Sequence, residues 1–232
     1  MIYIPLFYLG KRDYVNGLTI FEEMLKSYQK IDKISNENGF ITSIKSFKIN
    51  RFIRSNCFLE IKDDDASNII SRDAAAQMHI LTGESGGKKL LLFEQKRQPV
   101  VERKEDYDRS IYIEDEYKSE DGIYLTVLNN ISDTFSLVRG VVEANYRYCM
   151  AEVIHTGVSG RPSWAYLTNF KWPDNSEFSI YKEVKFKNKS TVHHNGKCYL
   201  IRRCSVKGLN VNFEAEICFF FNEPEVIQKN EK

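Results

Sequence analysis

The sequence predicts an α+β fold built from two copies of one unit, and two amphipathic helices carry this prediction. The first helix lies within residues 14–28 and the second within residues 133–149 of the 232-residue chain. Each is the one long helical pattern in its half, and β-type sequence lies on both sides of it. A lone sheet with one helix must bury the helix against one face. We therefore expect two helix-and-sheet units that pair edge to edge into one continuous sheet.

The first helix has one apolar face and a carboxylate at its border. Apolar side chains recur at helical spacing at Leu18, Phe21, Leu25 and Tyr28. Asn16 or Thr19 can cap the start of the helix. Glu23 points outward, whereas Glu22 lies beside the apolar face, where its carboxylate can look into a crevice. The negative charge near the helix start is also what the helix dipole favours.

The second helix has a polar amide in the middle of its apolar face. The face consists of Val138, Val141, Val142 and Cys149, and Asn145 lies among them. A buried amide needs partners, because an unsatisfied one costs about 1–3 kcal/mol. Glu143 and Arg147 lie off this face, and their four-residue spacing predicts an ordinary surface pair.

Composition excludes several classes of function. There are 33 basic and 32 acidic residues, for a net charge of +1, which argues against a nucleic-acid or membrane-surface protein. No apolar run approaches the length of a transmembrane helix. The five cysteines form no C-x-x-C pair and are odd in number, as expected for reduced, buried thiols in a cytoplasmic protein.

The first half, residues 1–98, reads as strand, loop, helix and an antiparallel run. The helix is expected to end at about residue 31, and the phase of the second strand slips near Ser46, which predicts a bulge. The segment 83–87 matches G-x-S-x-G but is flanked by strands, so a hairpin turn is expected there rather than a nucleophile elbow. The expected strands are 2–8, 40–53, 57–61, 73–82 and 89–95.

The second half, residues 110–222, repeats this order after a charged linker at 99–109. The helix is expected from about 134 to 152, and a tail at 223–232 is expected to fray. His193 and His194 read as a hairpin tip, because adjacent residues of a strand point oppositely and seldom share one metal ion. The expected strands lie within 110–129 and at 165–172, 181–187, 199–205 and 211–221. No metal site is predicted.

This order of elements resembles the hotdog fold, in which a curved antiparallel sheet wraps a long central helix. Two units in one chain resemble a double hotdog. The segment from Gly17 to Glu22 matches the G-x-x-x-x-E end of the motif found in β-hydroxyacyl carrier-protein dehydratases. The prolines of that motif are absent, and Tyr8 stands fourteen residues before Glu22, where the family has a histidine. The same count back from Glu143 reaches Asn129.

The resemblance implies where a site would lie. Glu22 would correspond to the acidic catalytic residue, with Tyr8 near the reacting carbon. A tyrosine is a poor base at neutral pH, because its ordinary pKa is about 10, but it can donate a proton or act as an activated nucleophile. Backbone donors at the helix starts would stabilise an oxyanion. Residues expected to bind substrate are Asp13, Asn16, Gly17, Asn129, Gly140 and Asn145.

The resemblance also implies a function: an enzyme acting on an acyl thioester in fatty-acid or polyketide-type biosynthesis, dehydratase-like but without the usual histidine. Alternatives are a thioesterase, an acyltransferase and decarboxylase of a polyketide pathway, and a non-catalytic acyl-binding hotdog protein. A structural protein whose halves dimerise through sheet edges is a further hypothesis. The substrate would be carried on phosphopantetheine or coenzyme A, with no other cofactor. The chain would be a monomer as a pseudo-dimer, or a homodimer.

Overall fold

The described residues form two long helices, one large antiparallel sheet and a small two-stranded sheet, so the predicted α+β class is confirmed. A computed structural model describes residues 1–35, 41–64, 73–82, 86–100, 102–105, 108–118, 124–156, 163–171, 183–194, 197–207 and 212–222. The predicted tail at 223–232 lies outside the described residues. None of the helices in the described ranges is long and apolar enough to cross a membrane.

Both predicted helices are present and longer than expected. Helix α1 spans Gly17–Ser35 and helix α2 spans Thr134–Thr156. Their predicted apolar faces are buried, and Phe21 packs edge-on against Phe47 of the sheet with ring centroids 5.3 Å apart. In the second half, Tyr148 packs against Phe186 at 6.2 Å. Each helix therefore lies against strands of its own half.

The strands of the first half follow the predicted order, with one correction. The expected single strand at 2–8 is two short strands, because Pro5 has no N–H to donate to a ladder. The predicted bulge is confirmed, since the register of the third strand shifts between Ile44 and Ser46. The strands are β1 (Ile2–Ile4), β2 (Tyr8–Leu9), β3 (Ile41–Ile49), β4 (Ser55–Asp63), β5 (Ala76–Thr82), β6 (Gly86–Pro99) and β7 (Arg103–Lys104).

The second half begins with a short 3₁₀ helix at Arg109–Tyr112. The hairpin tip predicted at His193 and His194 is confirmed, because one strand ends at His194 and the next begins at Lys197. The strands are β8 (Ile113–Lys118), β9 (Tyr124–Leu128), β10 (Ser163–Lys171), β11 (Glu183–His194), β12 (Lys197–Lys207) and β13 (Asn212–Asn222).

One continuous eleven-stranded sheet joins the two halves, as expected from the edge-to-edge pairing. Its order is β1-β4-β6-β5-β3-β10-β13-β12-β11-β9-β8. The junction is the antiparallel pair of β3 and β10, in which Phe47 stands opposite Leu167. The five strands before the junction come from the first half and the six after it from the second.

The range 99–109, expected to be a charged linker, contains a strand that returns to the start of the chain. Strand β7 pairs in parallel with β2, with Tyr8 opposite Arg103 and Leu9 opposite Lys104. This two-stranded sheet holds the segment before α1 against the segment that leads into the second half. The arrangement places several charged side chains beside the start of α1.

Candidate functional site

The start of α1 is held by its cap and by one backbone hydrogen bond. Asn16 Oδ1 accepts a hydrogen bond of 2.8 Å from the N–H of Leu18, so the predicted cap is confirmed. The N–H of Val15 donates to the carbonyl of Ile53 at 2.8 Å. Gly17 is half-buried at the first position of the helix. The start of α1 is thereby anchored between the segment at Ile53 and its own cap.

Four cations lie on the segments next to Tyr8, near this helix start, and we call Arg12, Arg54, Arg103 and Lys104 the basic cluster. The guanidinium of Arg103 lies over the ring of Tyr8 at 5.2 Å and donates to the carbonyl oxygens of Gly10 and Arg12. The Tyr8 hydroxyl donates to the carbonyl of Arg54 at 2.7 Å. The two-stranded sheet and the segment at Arg54 thus bring together charges that are far apart in sequence.

Carboxylates offset only part of this charge. Asp13 lies 3.5 Å from the Arg54 guanidinium and is largely exposed, with 79% of its side chain accessible. Glu102 lies 3.3 Å from Lys104, whose ammonium also lies over the ring of Phe7 at 3.9 Å. Glu94 is a third carboxylate beside the cluster, because its Oε1 accepts a hydrogen bond of 2.7 Å from the N–H of Arg54. Three of the four cations, Arg54, Arg103 and Lys104, lie over aromatic rings, which is a favourable contact for a cation.

Glu22 faces helix α2 and does not point toward the start of α1, the helix that carries it. It is buried, with 8% of its side chain accessible, and binds Arg139 of α2 through both carboxylate oxygens. The two distances are 2.6 Å, from Nε to Oε1 and from Nη2 to Oε2. Lys26 lies 3.4 Å from the same carboxylate. The crevice expected beside Glu22 is the space between the two helices, and Arg139 occupies it.

This bidentate pair constrains what Glu22 can do chemically. Its hydrogen bonds raise the pKa of Arg139 above the usual range of arginine, against the opposing effect of burial. The hydroxyl of Tyr112 also accepts a hydrogen bond of 3.2 Å from Arg139. Both oxygens of Glu22 accept charge-assisted hydrogen bonds from Arg139, so both face the guanidinium and not a ligand.

The two helix starts identify the residue of α2 that is equivalent to Glu22. Asp133 caps α2 as Asn16 caps α1, accepting a hydrogen bond of 2.7 Å from the N–H of Ser136. Glu22 and Arg139 are 117 residues apart, which is also the separation of the two caps. The counterpart of Glu22 is therefore Arg139 rather than Glu143. Equivalent positions of the two units meet in this ion pair.

Glu143 is not a surface residue, contrary to prediction. The predicted pair with Arg147 is present at 3.2 Å, but only 10% of the Glu143 side chain is accessible. Arg109, from the 3₁₀ helix, lies 3.3 Å from its other oxygen. The sequence pattern missed this burial because Arg109 comes from a segment expected to be a linker.

Asn145 lies in the core, as predicted, and its partner is a buried arginine. Both Asn145 and Arg202 are fully buried. The guanidinium of Arg202, on β12, lies 3.4 Å from Asn145 Oδ1, donates to the sulfur of Cys149, and lies over the ring of Tyr148 at 4.1 Å. A polar island therefore sits between α2 and β12, inside an otherwise apolar core.

The remaining predicted residues of the second half lie at and after the start of α2. Asn129 is exposed, and its Oδ1 accepts a hydrogen bond of 2.9 Å from the N–H of Asn130. Gly140 is buried inside the helix, where a Cβ would stand 3.2 Å from Leu128 and 3.3 Å from Ile131. Close packing thus accounts for this glycine. The hydroxyl of Ser136 accepts from the N–H groups of Ser132 and Asp133, so the start of α2 is closed by its own polar groups.

The structure brings together only some of the predicted residues. Tyr8, Asp13, Asn16 and Gly17 lie around the start of α1, whereas Glu22 points into the interface with α2. Sequence reasoning missed Arg139, Tyr112, Arg202 and the basic cluster. Aligning the two helices by their caps would have found Arg139, and Arg202 could have been noticed as a charge within a strand pattern.

The cysteines and the possible metal ligands do not form a second candidate site in the described part of the chain. Burial, with a smaller effect of Glu94, raises the pKa of the Cys57 thiol to about 12, so this cysteine stays protonated at neutral pH. The described cysteines, Cys57, Cys149 and Cys204, are buried and form no disulfide with one another, as predicted. In the described part of the chain, no group of three or more His, Cys, Asp or Glu side chains is arranged to hold a metal ion.

Comparison with solved structures finds several proteins of similar overall structure. One is the dehydratase domain of the polyketide protein PpsC from Mycobacterium tuberculosis, with 12% identity, TM-score 0.48, 90% of this chain and 85% of that chain covered. A second is a TesB protein from Mycobacterium avium, with 9% identity and a TM-score of 0.48; the match covers 91% of this chain and 89% of that chain. A third is the dehydratase domain of RzxB from Pseudomonas fluorescens, with 8% identity and a TM-score of 0.45; the match covers 95% of this chain and 88% of that chain.

These structural neighbours have the hotdog fold. They include the two classes that the sequence resemblance names, dehydratases and thioesterases. No protein-family model matches the sequence, and no curated protein matches it. With identities of 8–12% and TM-scores below 0.5, the likeness assigns no activity to this chain.

Proposed function

We propose that this protein is a double-hotdog protein that acts on an acyl thioester carried by acyl carrier protein or coenzyme A. Three observations on this chain support the proposal. Each half has one long helix against its own strands, and the segment from Gly17 to Glu22 carries the motif end that the resemblance rests on. The basic cluster lies at the start of the same helix, where the resemblance puts the thioester.

The basic cluster is the observation that carries the proposal. Coenzyme A and phosphopantetheine both bring phosphate groups to the mouth of a site, and exposed guanidinium and ammonium groups are their natural partners. Arg54 and Lys104 are more than half exposed and lie beside the start of α1. A thioester delivered there would place its carbonyl close to the N–H groups of the first helical turn.

The pairing of Glu22 favours some reactions over others. Dehydration needs a protonated acid for the leaving hydroxyl, and a Glu22 bound by both oxygens to Arg139 is a poor proton donor. Hydrolysis needs instead a carboxylate that orients water through a lone pair that Arg139 does not use. Among the enzymatic alternatives, thioester hydrolysis therefore fits Glu22 better than dehydration. Tyr8 would orient the thioester through its hydroxyl.

A non-catalytic acyl-binding protein is the second candidate, and one observation favours it. Both proposed catalytic groups already have partners, since Glu22 binds Arg139 and the Tyr8 hydroxyl donates to the Arg54 carbonyl. A protein that only holds an acyl chain would need neither group. The basic cluster would serve this function equally well.

A mass-spectrometric assay separates the two candidates. The protein is incubated with a panel of acyl-CoA thioesters and acyl carrier proteins, and both protein and thioester are followed by intact mass. We expect hydrolysis of at least one thioester by the unaltered protein. Glu22→Gln should abolish it, and Tyr8→Phe should weaken it. Glu23→Gln is the matched control, because Glu23 neighbours Glu22 and binds Lys26 but not Arg139.

The outcomes discriminate clearly. Loss of water from a β-hydroxyacyl thioester would show a dehydratase after all. A thioester that binds and returns unchanged with every variant would establish the binding protein. If no thioester binds or reacts, the proposed function is wrong.

A further inference from the structure

A pair of aromatic rings lies next to the basic cluster, and the proposed function does not use it. The rings of Tyr14 and Phe52 stand 4.7 Å apart between centroids, at an angle of 48°. Phe52 is 43% exposed. The backbone beside the pair is anchored, because the N–H of Val15 donates to the carbonyl of Ile53 at 2.8 Å. An exposed ring on an anchored segment offers a flat apolar surface to a ligand.

Arg54 joins this aromatic pair to the basic cluster. Its guanidinium lies over the ring of Phe52 at 5.9 Å, and its carbonyl accepts the hydrogen bond from the Tyr8 hydroxyl. Arg103 lies in turn over the ring of Tyr8 at 5.2 Å. Exposed cations and aromatic rings therefore alternate along one chain of contacts at the surface.

The exposed cations of this surface can accept a negatively charged ligand. Within the described residues, no carboxylate lies at ion-pair distance from the exposed Arg103, whose hydrogen bonds go to backbone carbonyls. Arg54 and Lys104 each have one exposed carboxylate beside them, Asp13 and Glu102. Ion pairs between exposed groups are weak, so a phosphate can compete for these two cations.

Coenzyme A and a carrier protein differ in what they would bring to this surface. Both carry phosphopantetheine, which a carrier protein links through one phosphodiester to its own surface. In coenzyme A the same group continues into adenosine, with a diphosphate on one side of the ribose and a further phosphate on the other. Bases stack on aromatic rings and on arginine, and phosphates bind arginine and lysine. Alternating rings and cations therefore match the nucleotide end of coenzyme A.

The position of Asp13 favours the same choice. Its carboxylate is 79% accessible and lies 3.5 Å from the Arg54 guanidinium. An exposed carboxylate in the middle of the surface repels an acidic partner protein. The same carboxylate can accept a hydrogen bond from the exocyclic amino group of an adenine that lies beside Arg54.

We propose that the basic cluster and the aromatic pair of Tyr14 and Phe52 bind the nucleotide end of coenzyme A, so that the thioester of this protein is an acyl-CoA and not a carrier-bound acyl group. The adenine covers the exposed part of Phe52 beside Arg54, and the phosphates meet Arg103 and Lys104. The choice of thioester rests on the proposed function, whereas binding of the nucleotide can be measured without any thioester.

The experiment compares ligands that carry the nucleotide with one that lacks it. Binding of coenzyme A, of 4′-phosphopantetheine and of adenosine 3′,5′-bisphosphate to the full chain is measured by calorimetry, with a phosphopantetheinylated carrier protein as the fourth ligand. We expect coenzyme A to bind at least about tenfold more tightly than 4′-phosphopantetheine, because the base and its phosphates are lost with the nucleotide. Adenosine 3′,5′-bisphosphate should bind by itself, and more tightly than adenosine.

Phe52→Leu is the decisive variant, because it keeps an apolar side chain and removes the ring. We expect the affinity for coenzyme A to fall about tenfold, and the affinity for 4′-phosphopantetheine to stay within about twofold of that of the unaltered protein. Tyr117→Leu is the matched control: Tyr117 is 45% exposed and lies on β8, at the opposite edge of the sheet from β1 and β4. Measuring the Tm of both variants confirms that they are folded.

Three results would overturn the nucleotide site: equal binding of coenzyme A and 4′-phosphopantetheine, full affinity for coenzyme A in folded Phe52→Leu, or an equal loss in Tyr117→Leu. Tighter binding of the carrier protein than of coenzyme A would also overturn it, and would leave the proposed function standing. Coenzyme A binding that depends on Phe52, with every acyl-CoA returned unchanged and bound no more tightly than coenzyme A, would support the site and refute the proposed action on thioesters.

Discussion

At the scale of single residues, the ion pair of Glu22 and Arg139 has the largest consequence. The residue that sequence alone marks as a catalytic acid is bound by both oxygens to an arginine of the other half. The arginine stands at the equivalent position of α2. Two glutamates at these positions would repel each other, as they would in a symmetric pair of identical units. A fused chain can place opposite charges there, so the ion pair helps to set how the two units meet.

Removing one partner should therefore cost more than removing both. We expect Arg139→Met to lower the free energy of unfolding by about 2 kcal/mol, since it leaves the buried carboxylate of Glu22 with only Lys26 nearby. The double variant Glu22→Gln with Arg139→Met should regain part of this loss. The measurement is urea denaturation of both single variants and the double variant.

Glu23→Gln is again the control, and it should change stability by less than about 0.5 kcal/mol because its pair with Lys26 lies nearer the surface. Strictly additive effects of the two single substitutions would contradict the coupling between the halves.

At the scale of elements, the starts of the two helices differ although their caps are equivalent. Asn16 caps α1 beside the basic cluster, and Tyr8 and Arg103 lie around it. At α2, Asp133 and Ser136 bind the backbone N–H groups among themselves. The start of α1 is therefore the better place for a ligand carbonyl, whereas the polar groups at the start of α2 serve to cap that helix.

The structural role of the α2 cap can be tested directly. We expect Asp133→Ala to lower the free energy of unfolding by about 1 kcal/mol, because the N–H of Ser136 loses its acceptor. Asp133→Asn keeps an oxygen in the same place and should cost much less. Denaturation gives the stability, and thioester turnover should be the same for both variants once they are folded. Loss of turnover in folded Asp133→Ala would instead place substrate at this helix.

At the scale of the whole molecule, the charge balance of the chain hides an uneven surface. The net charge is only +1, yet the basic cluster collects four cations beside one helix start. The two-stranded sheet of β2 and β7 makes this possible, because it returns residues 103 and 104 to the segment before α1. The partner of this surface is expected to be anionic.

Reversing one charge of the cluster should weaken binding of an acyl carrier protein or coenzyme A thioester. We expect Lys104→Glu to reduce affinity by about tenfold at low salt and by less at high salt, because screening weakens interactions between exposed charges. Binding is measured by calorimetry at two salt concentrations.

Lys185→Glu on β11 is the matched control. Lys104 lies beside Glu102 and Lys185 beside Glu183, so both lysines have a glutamate two residues earlier, and both side chains are at least one-third exposed. An equal loss of affinity in both variants would show a general charge effect and remove the basic cluster as the docking surface.

The sequence by itself determined the α+β class, both helices and their buried faces, the burial of Asn145, and the bulge in β3. These features depend on local spacing, which side chains close in sequence report directly. Only the tertiary structure decided that Glu22 pairs with Arg139, that Arg202 lies beside Asn145, and that β7 returns to β2. Each of these contacts joins residues that are far apart in sequence, such as the 117 between Glu22 and Arg139. Local periodicity carries no information about such partners, and only the packing of the two halves brings them within hydrogen-bonding distance.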